Sequence, residues 1–227
     1  MKKIILSIAI FFLVNIHSHA HVEHYAKYNY LEYELFRNNN SIGYHKYDFK
    51  RDGDNLSIIS EVSFNINKLG VNLYKYFAKS EENYEKGIFK SYFSKTKQNK
   101  KDRYVNIRVN DEDTHLIIDG SSYKGKGDKK FIVGTWWNHE IIQAKAQISG
   151  ISGRIIEQTV TFIGKEEVKI GDKVYKTLRF NFKSSDEKLP DNKKLNTDIW
   201  YEEDSFLWIK AAFDKTGYWE YRIKTYN

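Results

Sequence analysis

From residue 28 onward, apolar and polar positions alternate with a period of two, run after run, as strands do when one face meets a core. Residues 28–37 set Leu31, Tyr33 and Leu35 against Glu32 and Glu34, and residues 56–64 set Leu56, Ile58, Val62 and Phe64 against Ser57, Glu61 and Ser63. Residues 104–110 repeat the rule with Val105, Ile107 and Val109 opposite Asn106 and Arg108. The pattern predicts strands over 28–37, 42–51, 56–64, 73–84, 88–96, 104–110 and 114–119. Further strands are predicted over 155–163, 168–170, 174–183, 196–201, 206–214 and 218–226. Short polar turns join them, among them Asn38-Asn39-Asn40-Ser41, Asp52-Gly53-Asp54, Gly171-Asp172-Lys173 and Lys215-Thr216-Gly217. Gly, Asn and Asp accept the positive φ that such hairpin turns demand. Connections this short cannot cross between parallel strands, so the topology is an antiparallel meander.

The rhythm changes at Phe131. Over residues 135–148, Trp137, Ile141, Ile142 and Ala144 fall near helical spacing, and Asn138 is suited to cap a short helix through its side-chain oxygen. The stretch Ser149-Gly150-Ile151-Ser152-Gly153 ends it. A meander this long must hide its edges by curling. The expectation is therefore an all-β chain: a curled antiparallel meander of about ten strands, barrel or half-barrel, with one short helix. With no fixed-period repeat and no linker, residues 21–227 read as a single β-rich domain.

The N-terminus adds a destination. Lys2 and Lys3 precede an apolar run over residues 4–14, and Ser18-His19-Ala20 offers the small residues of a cleavage site, so residues 1–20 read as a signal peptide and the protein as periplasmic. No other apolar stretch reaches the roughly 18 residues of a membrane span. Charged outward positions such as Lys75, Lys79 and Glu81, or Glu220, Arg222 and Lys224, do not suit the lipid face of a membrane barrel. The chain has no Cys, which excludes thiol catalysis, iron–sulfur clusters and disulfides, leaving packing to hold the fold. Its net charge of +7 comes from 30 Lys and only 7 Arg. The lysines gather in turns, and nucleic-acid readers prefer the bidentate fork of Arg, so no nucleic-acid partner is expected.

Aromatics are the broadest chemical signal, at 16% of the chain. Tyr and Trp suit a cavity wall because each joins an apolar body to a polar tip. Trp136, Trp137 and Asn138, at the start of the predicted helix, and Trp200 with Tyr201 are the candidate ligand-binding residues. No catalytic residue, metal or cofactor is assigned. A competing reading makes the chain a hydrolase of an envelope polymer, with Asp198 and Glu202 as its acids beside Glu203 and Asp204. His21 and His24 would need a third nitrogen from His45, His115 or His139 to hold copper, and a tail past a cleavage site explains them more simply. The sequence leaves the oligomeric state open.

Several short segments carry a family resemblance: Tyr33-Glu34-Leu35-Phe36-Arg37 with Ile42-Gly43, Asp52-Gly53-Asp54, Tyr74-Lys75-Tyr76 leading to Glu82, and Glu85-Lys86-Gly87. Trp137-Asn138, residues 164–176, Ile199-Trp200-Tyr201 and residues 214–221 continue it. In these the chain resembles an uncharacterised family of exported bacterial proteins, a domain of unknown function. The resemblance implies an architecture similar to the curled sheets of periplasmic lipid and lipoprotein carriers. The expected function is non-catalytic binding of an apolar or amphipathic ligand, such as a lipid, or of a cell-envelope partner.

Overall fold

The computed structural model describes residues 24–227; the expected leader and His21 lie outside them. The first eight strands are β1 (Tyr30–Arg37), β2 (Asn40–Asp52), β3 (Asn55–Lys68), β4 (Val71–Glu85), β5 (Ile88–Gln98), β6 (Lys101–Val109), β7 (Leu116–Gly120) and β8 (Lys124–Gly127). The other seven are β9 (Ile132–Val133), β10 (Ala146–Ile148), β11 (Ile155–Ile170), β12 (Lys173–Ser184), β13 (Asn196–Glu202), β14 (Trp208–Asp214) and β15 (Tyr218–Tyr226). All fifteen form one sheet in the order β8-β7-β6-β5-β4-β3-β2-β1-β15-β14-β13-β12-β11-β10-β9. The protein is thus all-β and a meander, with more strands than the ten expected. Residues 155–170 form one bent strand instead of two, its register shifting between Phe162 and Gly164.

Two features make the sheet curl. The first and last strands pair in its middle, Leu31 facing Tyr226 and Arg37 facing Trp219. The two free edges, β8 and β9, are separated in sequence only by residues 128–131, which holds them within about 17 Å of each other. The loop over residues 149–153 spans the seam, and the Ser122 amide donates to the Ser152 carbonyl at 2.9 Å. Gly120 is required there, because a Cβ would lie 2.6 Å from that same carbonyl oxygen.

Turns at residues 53–54 and 86–87 mark one end of the curl, the lower; turns at residues 38–39 and 69–70 mark the upper end. Alternation is kept on β1 and β4, whereas β10, β13 and β14 carry consecutive buried residues. On β4, Tyr76, Glu82 and Tyr84 turn inward and are buried, whereas Lys75, Lys79 and Glu81 are exposed. The interior is filled by a large aromatic cluster that includes Tyr33, Tyr47, Phe49, Trp137, Tyr201 and Trp208. A second cluster, with Val105, Ile107, Leu116 and Ile118, lies under β5–β7. Each such side chain stabilises the fold by about 1.5–3 kcal/mol on burial. Among the described residues no helix is long and apolar enough to cross a membrane.

The predicted helix is the main correction. Asn138 does cap, accepting from the Glu140 amide at 3.0 Å, but it opens only a single 3₁₀ turn, His139–Ile142. Ala146–Ile148 leave the helical path to pair with β11 and, in parallel, with β9. Sheet pairing outweighs helical spacing because a solitary short helix has no stable nucleus.

Candidate functional site

The segment between β9 and β10 runs through the inside of the curl, and wall groups grip it. The Tyr47 hydroxyl donates to the Thr135 carbonyl at 2.8 Å, and the Tyr201 hydroxyl donates to the Trp136 carbonyl at 2.9 Å. Glu82 on β4, 2% exposed, accepts from Trp137 Nε1 at 3.0 Å, Tyr84 Oη at 2.6 Å and Thr135 Oγ1 at 3.3 Å. Burial pushes the Glu82 carboxyl up to about 7, against these three bonds that favour the carboxylate. Behind the segment, the Gln158 amide bonds the Ile141 and Ala144 carbonyls at 3.0 and 3.1 Å.

Trp136 has φ of 54°, the left-handed region that a bulky side chain rarely occupies. The two adjacent indoles lie on opposite sides of the segment. Trp137 goes down among Tyr25, Phe49 and Tyr84, with ring centroids 5.6–5.8 Å away. Trp136 goes up against Trp208 and Tyr221, at 5.4 and 5.5 Å. The interior is thereby divided into two cavities.

The lower one is an open groove of about 440 Å³. Phe89, Val109, Leu116 and Phe131 supply its apolar wall, and Glu82 and Asn138 reach its inner end. Lys130, Glu140 and Gln143 stand on its polar rim. The upper chamber, of about 210 Å³, is lined by hydroxyls and aromatic rings: Ser60, Tyr76, Ser94, Trp136 and Tyr221, with His45 among them. His45 Nε2 bonds the Ser60 hydroxyl at 2.8 Å. Tyr47, Trp208 and Tyr221 surround the ring at 4.3, 6.1 and 5.9 Å, and burial holds its pKa down to about 3, so it is neutral.

The five candidate residues are not gathered into one site. Trp136 lines the upper chamber and Asn138 the lower groove. Trp137, 1% exposed, and Tyr201, fully buried, are packed core residues that hold the partition. Trp200 points the other way, to the outer face, where Arg179 and Lys210 lie over its ring at 4.9 and 4.8 Å and Glu166 takes its N–H. Asp198 and Glu202 also lie outside the curl. They sit four residues apart on β13, roughly 13 Å along the strand, beyond the separation that paired glycosidic acids need. Asp198 is held by Arg179 at 2.5 Å and by Asn181 at 2.7 Å, and Glu202 accepts from Ser205. Of the histidines, His24 meets His139 edge-on at 4.8 Å, but among the described residues no group of three His, Cys, Asp or Glu is placed to hold a metal. Glu82 and His45, which line these cavities, were not among the five candidates. Their signal was phase: each shares the inward register of Tyr84 or Tyr47.

This architecture is that of the β-barrel-like proteins. The chain is similar to the crystal structure of a beta-barrel-like protein of domain of unknown function DUF1849 from Brucella abortus, with a TM-score of 0.60 at 11% identity. The match covers 88% of this chain and 97% of that one, and it establishes the fold. No curated protein is significantly similar to the chain. The chain belongs to the family described as domain of unknown function DUF6134, which it matches over residues 33–224.

Proposed function

We propose that the protein is a non-catalytic binding protein of the periplasm that holds an amphipathic ligand, such as an acyl lipid, in the lower groove. The observation that carries this reading is the groove itself, a cavity with an apolar wall and a polar rim at one end of the curl. An acyl chain against Phe89, Val109, Leu116 and Phe131 would leave water at about 0.8 kcal/mol per methylene, while Lys130, Glu140 and Gln143 meet its headgroup. Native mass spectrometry of protein purified from its own envelope tests the reading. The expected spectrum shows one co-purified amphiphile, retained by the wild type and lost from Phe131→Asp, which places a charge on the groove wall. Protein that emerges free of any amphiphile and does not take up dodecanoate would refute it.

A further inference from the structure

At the upper end of the curl the β3–β4 hairpin runs on past both of its ladders. Its pairing with β2 stops at Gly43 and Phe64, and its pairing with β5 stops at Tyr76 and Gln98. Residues 65–75 therefore form a two-stranded finger that reaches about 13 Å beyond the last paired residues. Ile66 and Tyr74 pack its inner side against the core. The apex is apolar and bare, with Leu69 95% exposed, Val71 60% and Leu73 53%. Leu69 also has φ of 51°, a conformation that hairpin turns give to Gly, Asn or Asp, as the β1–β2 turn gives it to Asn38 and Asn39. Folding gains nothing from a leucine there, since it packs on no core and sits in an unfavourable backbone region.

The base of the finger is basic. The turn between β5 and β6 is tied to it, the Asn99 amide donating to the Lys75 carbonyl at 2.8 Å and Asn99 Oδ1 accepting from the Lys75 amide at 2.7 Å. Lys68, Lys75, Lys97, Lys100 and Lys101 are thereby gathered below the apex, and residues 65–75 and 97–101 contain no Asp or Glu. All five are exposed, and none forms an ion pair among the described residues. Asp102, opposite Lys97, is the first acid beyond them along the chain.

We infer that this finger docks the protein on the surface of a bilayer that contains anionic phospholipid, its three apolar side chains entering the headgroup layer and its lysines meeting the phosphates. Apolar side chains that lead and cations that follow match the order of layers met on approaching such a surface from water. A second copy of the chain would set five lysines against five. A stable protein interface uses about 20–30 residues a side, far more than a two-stranded apex presents. The finger lies at the opposite end of β4 from the lower groove, and the inference does not rest on what that groove holds.

Flotation of protein purified from its own envelope, with vesicles of phosphatidylethanolamine and phosphatidylglycerol beside vesicles of phosphatidylcholine alone, tests the inference. Binding to the anionic vesicles should be at least tenfold tighter and should weaken as salt is raised. Leu69→Asn, which suits the turn and removes the apolar apex, should weaken binding at least fivefold, and Lys100→Glu should do the same. Lys50→Glu, an equal change of charge near the lower end, should leave it unaltered. All three substitutions are at exposed positions, and circular dichroism confirms that each variant is folded. The inference is overturned if the anionic vesicles do not retain the protein, if phosphatidylcholine retains it equally, or if Leu69→Asn binds as wild type does. It is equally overturned if Lys50→Glu weakens binding as much as Lys100→Glu, because net charge alone would then explain it. A photo-crosslinker placed at residue 69 that yields a defined protein adduct and no lipid adduct in the envelope would overturn it in favour of a protein partner.

Discussion

The lower groove and the upper chamber share one partition, yet only the lower one is lined by charged residues. Below it, an apolar wall ends in charged groups, and the partition presents Asn138 beside the buried Glu82 of β4. Above it, hydroxyls and rings enclose a neutral imidazole. Two consecutive indoles mark the difference, Trp136 facing the upper side and Trp137 the lower. A meander with strict alternation can give its lumen only one lining per strand. A segment threaded through the lumen is what allows one sheet to line two cavities.

Three perturbations sharpen the contrast, and the largest concerns the partition's anchor. Trp137→Ala should cost about 3–5 kcal/mol, as emptying a buried aromatic site does, with a further penalty because Glu82 loses a donor. Urea unfolding would show it. A loss below about 1 kcal/mol would mean that Trp137 does not hold the two cavities apart.

The second perturbation exploits the titrating groups, which respond to pH in opposite senses. Glu82 binds its proton more tightly in the folded state than in the unfolded chain. Its stabilising effect is therefore complete below about pH 4.5 and is lost as pH rises through about 7. His45 is depressed from 6.5 to about 3, so its effect is complete above pH 6.5 and is lost as pH falls toward 3. Between about pH 4.5 and 6.5 the two effects oppose each other. Glu82→Gln removes one of them, so stability at pH 8 relative to pH 4 should rise by up to about 3 kcal/mol over the wild-type difference. Unfolding free energies at pH 4, 6 and 8 decide this, and a variant whose pH profile matches the wild type would show that Glu82 ionises freely.

The smallest effect is expected at Trp136. It is half-buried and packs on one side only, so Trp136→Ala should cost about 1–2 kcal/mol, less than Trp137→Ala. An equal or larger loss, measured by the same unfolding series, would make the pair a single core unit and erase the distinction between the two sides.

The strands were legible in the sequence because alternation of Leu31, Tyr33 and Leu35 with Glu32 and Glu34 has one physical reading. The partition was not. Ile141, Ile142 and Ala144 have helical spacing, but β9 and β10 are only two and three residues long, too short for any period to register. Asn138 was legible as a cap because capping is local. Trp200 was misplaced for the same reason that Trp137 was found: a cluster of aromatics does not announce which face it occupies until its strand's register is known. Glu82 carried a readable signal, a carboxylate in phase with Tyr76 and Tyr84. Its meaning depended on Trp137 and Thr135, more than fifty residues away.

The pairing of β1 with β15 sets the order in which the molecule can assemble. Asn29 already donates to the carbonyl of Asn227 at 2.7 Å, and the Asn227 amide returns a bond to Tyr30 at 3.2 Å. A chain emerging N-terminus first must therefore wait for its last strand before the sheet's two halves can join, carrying the unpaired edges of β1 and β14 until then. Because Asn29 already meets Asn227, a circular permutant that links residue 227 to residue 24 and opens within residues 128–131 would make every neighbouring pair of strands consecutive. Its contact order would fall, and it would fold faster than the natural chain.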